Sequence, residues 1–260
     1  MLIRTWNLFH GNALPPQRRT FLDEMIALAT ADEPDVLCVQ EVPAWALGRF
    51  TVGDVAARPT LGPFPSSAGI GRRLTSFNHG FLRSAFSGQG NAIAVGPRLR
   101  VLGHEQLELN PRAFRAAEGR RLGLGIVGRN AWAKERRIVQ TVRLGADDGR
   151  TYLIANTHCT SLHDRRIAQA ELLRAAAFAT SKALADDVVV LAGDFNLTAS
   201  ATAMRDLTGP EWRFSQAGPG IDHVLVRGAE ASPAQRWPTE RRRVDGHLLS
   251  DHAPVEVEIT

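Results

Sequence analysis

The sequence has few cysteines and lacks any long apolar run. Only Cys38 and Cys159 occur among 260 residues, too few for a disulfide framework, and both fall in apolar runs where a buried reduced thiol is the common state. No segment approaches eighteen consecutive apolar residues, and the opening MLIRTWNLFH lacks the charged, apolar and small-residue regions of a signal peptide. We therefore expect a cytoplasmic protein without a transmembrane segment.

Lysine is nearly absent from the whole chain, and acids are absent from one long stretch of it. Lysine occurs only at Lys134 and Lys182, so arginine supplies nearly all of the 31 positive residues that oppose 27 acids. Residues 55–104 contain no Asp or Glu, and their arginines are Arg58, Arg72, Arg73, Arg83, Arg98 and Arg100. Such a field attracts anionic substrates such as nucleic acid or phospholipid headgroups. A general preference for arginine on a solvated surface explains the composition equally well.

The residues that are present predict one domain with a repeated strand, helix and strand. A hydrophobic content of 44% over 260 residues suits a single domain spanning 1–260 with a sizeable core. The first half gives a strand over 2–8, the strand VLCVQEV, and between them a helix with one apolar face: Phe21, Leu22, Met25, Ile26 and Leu28. The second half gives TYLIANTHC, then VVVLAGD, and between them a helix with the face Ile167, Ala170, Leu173 and Ala177.

This repeat predicts two packed sheets with helices outside, related by a pseudo-dyad. Further strands are expected at 90–95, 136–144, 220–228 and 253–259. The stretches 59–90 and 102–129 are rich in Gly, Pro, Ser and Arg, and we expect them to be irregular and either functional or mobile.

Polar residues stand at the ends or the beginnings of six strand-like runs. They are Asn7, Glu41, Asn156 with His158, Asp194 with Asn196, Asp222 with His223, and Asp251 with His252. In the repeat, Asn7 corresponds to His158, and Glu41 to Asp194. One acid after an apolar strand is usually a solvated turn residue or a helix N-cap, but six such runs with carboxylate, amide and imidazole groups indicate one polar site where strand ends converge.

The residue types of this site indicate the chemistry it can perform. Asn, Glu and Asp supply the hard oxygen ligands that Mg²⁺ or Mn²⁺ prefers, and two histidines without a cysteine cluster argue against structural zinc. A divalent ion held by one or two carboxylates, with a substrate phosphate completing its shell, is typical of phosphate-ester hydrolysis. A histidine oriented by a carboxylate can exchange a proton with water or with the leaving oxygen.

In this order, TWN, VQE, NTH, GDFN, IDH and SDHAPV resemble the endonuclease/exonuclease/phosphatase superfamily over almost the whole chain. Its members include pancreatic-type deoxyribonuclease, abasic-site endonucleases, neutral sphingomyelinases and inositol polyphosphate phosphatases. The resemblance implies an α/β four-layer sandwich: two packed, mostly antiparallel sheets flanked by helices, with an internal pseudo-two-fold repeat. It also implies a divalent-metal-dependent hydrolase with Mg²⁺ or Mn²⁺ as cofactor.

The resemblance implies a role for each motif residue. Glu41 corresponds to the main metal ligand, with Asn7 beside it and Asp251 also available to metal. His252 corresponds to the histidine that activates or orients the attacking water, and Asp222 to the acid that holds it. Asp194 and Asn196 correspond to the pair that positions the nucleophile and contacts the phosphate. His158 matches the histidine that deoxyribonuclease-like and sphingomyelinase-like members place near the phosphate, where abasic-site endonucleases carry tyrosine, and no acid partner for it is evident in 55–104.

Several other residues have a functional and a structural interpretation. Gly123, Gly125 and Gly128 match a dinucleotide-binding pattern but lack a preceding strand, which favours a mobile loop. His163 and His223 are interpreted as packed or solvated, and His10 as a loop residue that could reach substrate. Trp132 and Trp237 are more often packing residues than platforms for stacked bases, and the run Arg241 to Arg243 fits a solvated turn slightly better than a phosphate contact.

The leading hypothesis is a nuclease that acts on DNA or RNA, because the chain is basic. Two alternatives stay open: a phosphomonoesterase or phospholipid headgroup hydrolase, and a binding or scaffold protein that keeps the fold without turnover. No amphipathic segment for membrane docking stands out, which counts modestly against a lipid substrate. All the charged residues of the site are present, which counts against a scaffold.

Overall fold

The computed structural model describes residues 1–57, 88–215 and 218–260. The α-helices of these residues are α1 (Leu22–Thr30), α2 (Arg112–Arg121), α3 (Ile126–Ala133), α4 (Arg165–Lys182) and α5 (Thr202–Thr208). The strands are β1 (Leu2–Asn7), β2 (Ala13–Leu14), β3 (Val36–Pro43), β4 (Val52–Ala57), β5 (Gln89–Val95), β6 (Leu99–Glu108), β7 (Ile138–Ala146), β8 (Thr151–His158), β9 (Val188–Asp194), β10 (Asp222–Arg227), β11 (Gln235–Arg236), β12 (Arg243–Val244), β13 (His247–Leu249) and β14 (Val255–Glu258). Arg58, Arg72, Arg73, Arg83 and nearly all of the stretch 59–90 lie outside the described residues.

Two large sheets form the centre of the molecule. The first has the order β11-β14-β1-β3-β5-β4 and the second β10-β9-β8-β7-β6, while β12-β13-β2 form a small third sheet. Only the pairs β1/β3 and β8/β9 are parallel among the strand pairs of the described residues. The prediction of mostly antiparallel sheets is therefore confirmed.

Three apolar layers hold the sheets and helices together. Ile3, Val36, Val142, Ile154 and Val190 belong to the layer between the two large sheets. On the outer side of the first sheet, α1 packs onto β1 and β3, and on the outer side of the second sheet, α4 and α5 pack onto β8 and β9. This order of helix, sheet, sheet and helix is the predicted four-layer sandwich.

Both predicted strand-helix-strand units are present. They are β1-α1-β3 and β8-α4-β9, and the two strands of each unit pair in parallel. Parallel pairing brings the carboxyl ends of both strands of a unit to one edge of their sheet. The two-fold relation between the two halves stays a prediction.

The predicted apolar face of α4 was wrong. Of its four residues only Ile167 is buried, and Ala177 is exposed. The buried face includes Ala168, Leu172, Ala175, Ala176 and Ala179, and it also includes Glu171. Glu171 accepts hydrogen bonds from Trp132 Nε1 (2.6 Å) and from the Thr160 hydroxyl (2.8 Å) and main-chain nitrogen (2.7 Å). The buried acid Glu171 interrupts the apolar residues of the buried face. The spacing of apolar residues therefore indicates the neighbouring face of the helix instead.

The prediction that 102–129 is irregular was also wrong. This stretch contains most of β6, all of α2 and the start of α3. β6 is an exposed strand and α2 fully buries only Gly119, so neither shows the apolar periodicity by which a sequence reveals an element. The triple-glycine pattern begins after α2 and ends with Gly128 inside α3, so a helix precedes it where dinucleotide binding needs a strand.

Both cysteines are buried free thiols, as predicted. None of the helices in the described parts of the chain is long and apolar enough to cross a membrane.

Candidate active site

Three neighbouring strands of the second sheet place a row of polar side chains at one edge. His158 and Asp194 are register partners at the carboxyl ends of β8 and β9. Asp222, the first residue of β10, lies directly opposite Asp194 on the antiparallel side. Directly opposed residues project from the same face of a sheet, so the strand registers alone bring two carboxylates and an imidazole together.

The facing sheet contributes Asn7 and Glu41. The Asn7 side-chain nitrogen donates to Glu41 Oε1 (3.2 Å) and to Asp194 Oδ2 (3.0 Å), so one amide bridges the two sheets at the site. Asn7 Oδ1 accepts from the main-chain nitrogen of Phe9 (2.9 Å), which holds the amide in this orientation. We define the rim as Asn7, Glu41, His158, Asp194, Asp222 and His252.

Unusual backbone conformations concentrate at the rim. Of the eight non-glycine residues with positive φ among those described, five lie at or next to it: Phe9, His10, Glu41, Asn196 and Ser250. The register of β3 against β5 shifts between Val39 and Val42, and this bulge contains Glu41 with φ 53°. Bulges and left-handed residues redirect side chains at functional sites, which explains how Glu41 leaves the alternation of its strand to reach the rim.

Gly193 cannot be replaced without moving its neighbour. Its φ is 139°, and a Cβ atom there would lie 1.9 Å from the main-chain oxygen of Thr157. The close approach of β8 and β9 just before His158 and Asp194 therefore requires glycine.

Asp194 ends its strand, and the chain then turns. The Asn196 main-chain nitrogen donates to Asp194 Oδ1 (2.9 Å), and Asn196 has φ 54°, so the strand alternation does not extend to it. The Asn196 side chain donates to the main-chain oxygen of Cys159 (2.9 Å), next to His158. The turn thus keeps Asn196 buried beside the row, and its contact with substrate stays a prediction.

His252 and Asp222 form a hydrogen-bonded pair. His252 Nδ1 lies 2.9 and 3.0 Å from the two oxygens of Asp222, and its Nε2 faces Asp194 Oδ2 at 3.7 Å. An ionised carboxylate can only accept hydrogen bonds, so the proton on Nδ1 of His252 points toward Asp222. The ring is therefore oriented by a carboxylate, as predicted.

The loop that carries His252 is fixed by buried donors. Arg242 Nη1 donates to the main-chain oxygens of Leu249 (3.0 Å), Ser250 (3.2 Å) and His252 (2.7 Å). The Ser250 hydroxyl donates to the main-chain oxygen of Asn7 (2.7 Å) and accepts from the His252 nitrogen (3.0 Å). Asp251 projects between these anchors and is exposed, close enough to Glu41 and His252 for their charges to affect it.

The carboxylates of the rim shift one another's protonation. Burial first, and then the Asp222 charge, raise the pKa of Asp194 to about 7. Burial alone would lower the pKa of His252, but the hydrogen bond to Asp222 and the nearby carboxylates raise it to about 10. Beside the rim, partial desolvation raises the pKa of Asp251, with the Glu41 charge adding to this shift and the His252 charge opposing it. The rim therefore concentrates negative charge in a desolvated place.

Glu41 behaves differently from Asp194. Burial would raise its pKa, but His10 and the Asn7 amide outweigh that effect and hold the pKa well below the usual value. His10 Nε2 lies 3.0 Å from Glu41 Oε2. Glu41 is thus an ionised ligand candidate whose orientation is set from two sides.

The donor set fits a hard divalent cation. Within the described residues, neither Glu41 nor Asp194 has an arginine or lysine at ion-pair distance, so two desolvated carboxylates share a site without a fixed cation. Asp194, Asp222 and His252 each offer one ligand atom within 4.8 Å of the others. This close triplet differs from the set that the resemblance implies, Asn7, Glu41 and Asp251, and the Nδ1 atom of His252 in the triplet is already bound to Asp222.

The sequence predicts His10 only as a loop residue that could reach substrate, and it gives no signal for Arg137. His10 is buried against Glu41, and Arg137 Nη1 lies 3.0 Å from His158 Nδ1. Arg137 also forms an ion pair with Glu135. Both residues line a cleft of about 230 Å³ beside Glu41 and His158. Burial and the Arg137 charge lower the pKa of His158 well below its ordinary value.

The other candidates have structural contacts. Trp132 is buried against Glu171, and Trp237 lies under the guanidinium groups of Arg4 and Arg241. His223 is buried with Nε2 2.7 Å from the Leu197 oxygen, whereas His163 is exposed.

Asn156 and the arginine run are likewise occupied within the protein. Asn156 links the two sheets through Gln40 Nε2 (2.7 Å) and the main-chain oxygens of Val39 and Ala92. Arg241 pairs with Asp32, Arg242 is buried, and Arg243 donates to the Gly246 oxygen. These contacts favour a structural turn over a phosphate contact for the run.

The sequence and the fold both match known proteins. The model of the Endonuclease/Exonuclease/phosphatase family matches residues 5–252. No curated protein matches the chain in sequence. Similar solved structures include an endonuclease/exonuclease/phosphatase from Bacteroides vulgatus, with 17% identity, TM-score 0.66, and coverage of 100% of this chain and 98% of that chain.

Two further structures show how varied the similar proteins are. The catalytic domain of human Nocturnin with bound sulfate has 15% identity and TM-score 0.61, with coverage of 100% of this chain and 94% of that chain. A mannosyl-6-phosphatase of Bacteroides thetaiotaomicron has 12% identity and TM-score 0.56, with coverage of 100% and 99%. At these identities the likeness shows the fold alone.

Proposed function

Because the chain belongs to the endonuclease/exonuclease/phosphatase family of metal-dependent phosphate-ester hydrolases, we propose that it is a phosphodiesterase that cleaves nucleic acid with the aid of Mg²⁺ or Mn²⁺. One observation carries the proposal: three carboxylates, Glu41, Asp194 and Asp222, converge with two histidines at one desolvated rim. We further propose that residues 1–260 act as one catalytic domain.

Glu41, Asn7 and Asp251 would hold the metal ion. The ion would supply Lewis-acid polarisation of the phosphate and would offset the charge of the facing carboxylates. Glu41 suits the role because it is ionised and oriented by His10 and Asn7. Asn7 in turn connects this side of the rim to Asp194, so that its amide sets the spacing of the two halves of the site.

The remaining residues would handle water and the substrate phosphate. Asp222 holds the His252 ring so that Nε2 faces Asp194, and a water between Nε2 and Asp194 Oδ2 would be positioned for attack on phosphorus. Asp194, with its pKa near 7, would accept a proton from that water, and His252, with its pKa raised to about 10, would orient the water and supply a proton. Asn196 and His158 would donate to the phosphate oxygens as negative charge grows on them.

Nucleic acid is the preferred substrate because the chain carries a net charge of +4, mostly from arginine. The cleft beside Glu41 and His158, with Lys134 and Arg137 in its lining, supports binding of an anionic group at the site. A phosphomonoester or a phospholipid headgroup would satisfy the same rim, and loops decide between them.

A substrate panel tests the proposal. Single-stranded and double-stranded DNA, RNA, sphingomyelin, inositol phosphates and sugar phosphates are each incubated with Mg²⁺, Mn²⁺ or chelator, using the wild type and Glu41→Gln. Cleavage of a polynucleotide that needs metal and Glu41 is expected. Hydrolysis of lipid or sugar phosphate alone would replace the nuclease proposal, and no hydrolysis of any ester would favour a binding protein.

A further inference from the structure

His158 has an arginine where a catalytic histidine ordinarily has an acid. The guanidinium Nη1 of Arg137 lies 3.0 Å from His158 Nδ1. A guanidinium has donors and no acceptor, so a hydrogen bond between these atoms requires an unprotonated Nδ1. The ring proton must then sit on Nε2.

Arg137 is fixed in a position where it can keep the ring proton of His158 on Nε2. Its side chain is 6% exposed, and a second guanidinium nitrogen forms an ion pair with Glu135. Its main chain is fixed as well, because its nitrogen donates to Asn110 Oδ1 (2.8 Å) and its oxygen accepts from the Leu109 nitrogen (2.7 Å). The residue immediately precedes β7, which pairs with β8 beside His158.

The other side of the ring agrees with this assignment. His158 Nε2 lies 3.5 Å from Asp194 Oδ2 and 3.9 Å from Glu41 Oε1. A proton on Nε2 therefore points into the rim, toward the oxygens around which substrate would bind. His252 has the reverse arrangement, because its Nδ1 faces Asp222 and its Nε2 is free to exchange protons with water.

We propose that Arg137 is a positioning residue that fixes the Nε2–H tautomer of His158, so that His158 acts on the scissile phosphate as a hydrogen-bond donor and not as a proton donor. The inference rests on the proposed function for its chemistry, whereas the tautomer itself is a property of the protein alone. Only His252 of the two rim histidines then moves a proton during turnover.

Arg137→Lys and Arg137→Met form a matched pair, because both side chains have similar length and only lysine keeps a donor. Arg136→Met is the control. Arg136 is the preceding residue, and it also forms an ion pair with a glutamate, Glu108, at the surface. The tautomer is read from the ring ¹⁵N shifts of His158, assigned by their loss in His158→Asn, in metal-free protein and again with Mg²⁺.

The wild type, Arg137→Lys and Arg136→Met should show Nε2 protonated and Nδ1 bare, whereas Arg137→Met should show a mixture of tautomers. With the substrate found by the panel, Arg137→Met should lower kcat roughly 10- to 100-fold, the size expected for a charged hydrogen bond, with little change in KM. Arg137→Lys should recover most of that loss.

A protonated Nδ1 in the wild type would overturn the proposal, as would Arg137→Met with wild-type ¹⁵N shifts. If Arg137→Met does not fold, the wild-type spectrum and Arg137→Lys still decide the tautomer. If no phosphate ester is hydrolysed, the proposed function fails, and the ¹⁵N shifts report on Arg137 independently.

Discussion

Strand β1 takes part in two polar clusters with opposite electrostatics. On one face, Arg4 pairs with Asp32 and Glu256 (2.7 Å each) and stacks on Trp237. On the other, three residues later, Asn7 joins the carboxylates of the rim. We call the first group, Arg4, Asp32, Trp237 and Glu256, the Arg4 cluster.

The two clusters differ in charge balance. The Arg4 guanidinium provides the hydrogen bond that lowers the pKa of Asp32 to about 2, so each charge in the Arg4 cluster favours the other. At the rim, burial and the Asp222 charge outweigh the opposing effect of His252 and raise the pKa of Asp194 to about 7, and no arginine or lysine of the described residues lies at ion-pair distance from it. The Arg4 cluster is thus complete within the protein, whereas under our proposal the rim would gain stability from a bound divalent cation.

Glu41→Gln should have the largest effect, and it should change the rim while leaving the Arg4 cluster intact. We expect metal-dependent hydrolysis to fall about 1,000-fold, because a ligand worth several kcal/mol of Lewis-acid stabilisation is weakened, while the metal-free fold persists. Initial rates with saturating Mg²⁺ measure the effect, and the exposed Glu230→Gln is the control. Wild-type rates for Glu41→Gln would contradict the role of the rim.

Arg4→Met should have the opposite effect: the stability of the protein should fall and its activity should not change. Removing Arg4 takes away the buried cation of its cluster and leaves Arg241 as the remaining partner of the two acids, and we expect the free energy of unfolding to fall by about 3 kcal/mol. The rate per folded molecule should be unchanged. Urea denaturation measures the loss, with the exposed Arg100→Met as control. Lower activity at unchanged stability would show that the two clusters are not separate.

Asp222→Asn tests the pair that orients His252. The amide can still meet the ring but cannot favour its charged form, so we expect the rate to fall about 100-fold, at the low end for general acid–base catalysis. The pKa of His252 should drop from about 10 toward its ordinary value. Rates and an NMR titration of His252 measure both effects, and an unchanged titration would mean that Asp222 does not control the ring.

The smallest expected effect is on the pH dependence of stability. In the folded protein the pKa values of Asp194 and His252 are raised to about 7 and about 10. Protonation of these two groups therefore favours the folded state. This contribution is fully present below the pKa values of the unfolded chain, and it is lost as the pH rises through the pKa values of the folded protein. We therefore expect the metal-free protein to lose stability from pH 5 to 9, and Mg²⁺ to raise Tm more at pH 8 than at pH 5.5. Equal Mg²⁺ shifts at both pH values would argue against metal binding by ionised rim carboxylates.

Strand ends made the rim predictable from the sequence. Asn7, His158 and Asp194 end buried strands, and parallel pairing aligns such ends at one edge whatever the loops do. The Arg4 cluster was not predictable, because Arg4 lies in an apolar strand and its partners are 28 and 252 residues away.

The contacts that Arg137 and His10 make beside the rim were not predictable, for definite reasons. Arg137 precedes a strand, and the beginning of β7 reaches the rim only because β7 runs antiparallel to β8. His10 reaches Glu41 through a left-handed turn with φ 54°. Both depend on strand order or backbone conformation, which residue patterns do not specify.

The position of a bound ion tests the central claim most directly. Crystals of the protein with Mn²⁺ would be measured for anomalous scattering at the manganese edge. Our account expects a peak at bonding distance from a Glu41 carboxylate oxygen, with the hydrogen bond between Asp222 and His252 intact. A peak bonded to His252 and Asp222 with Glu41 unbound, or no peak at the rim, would contradict it.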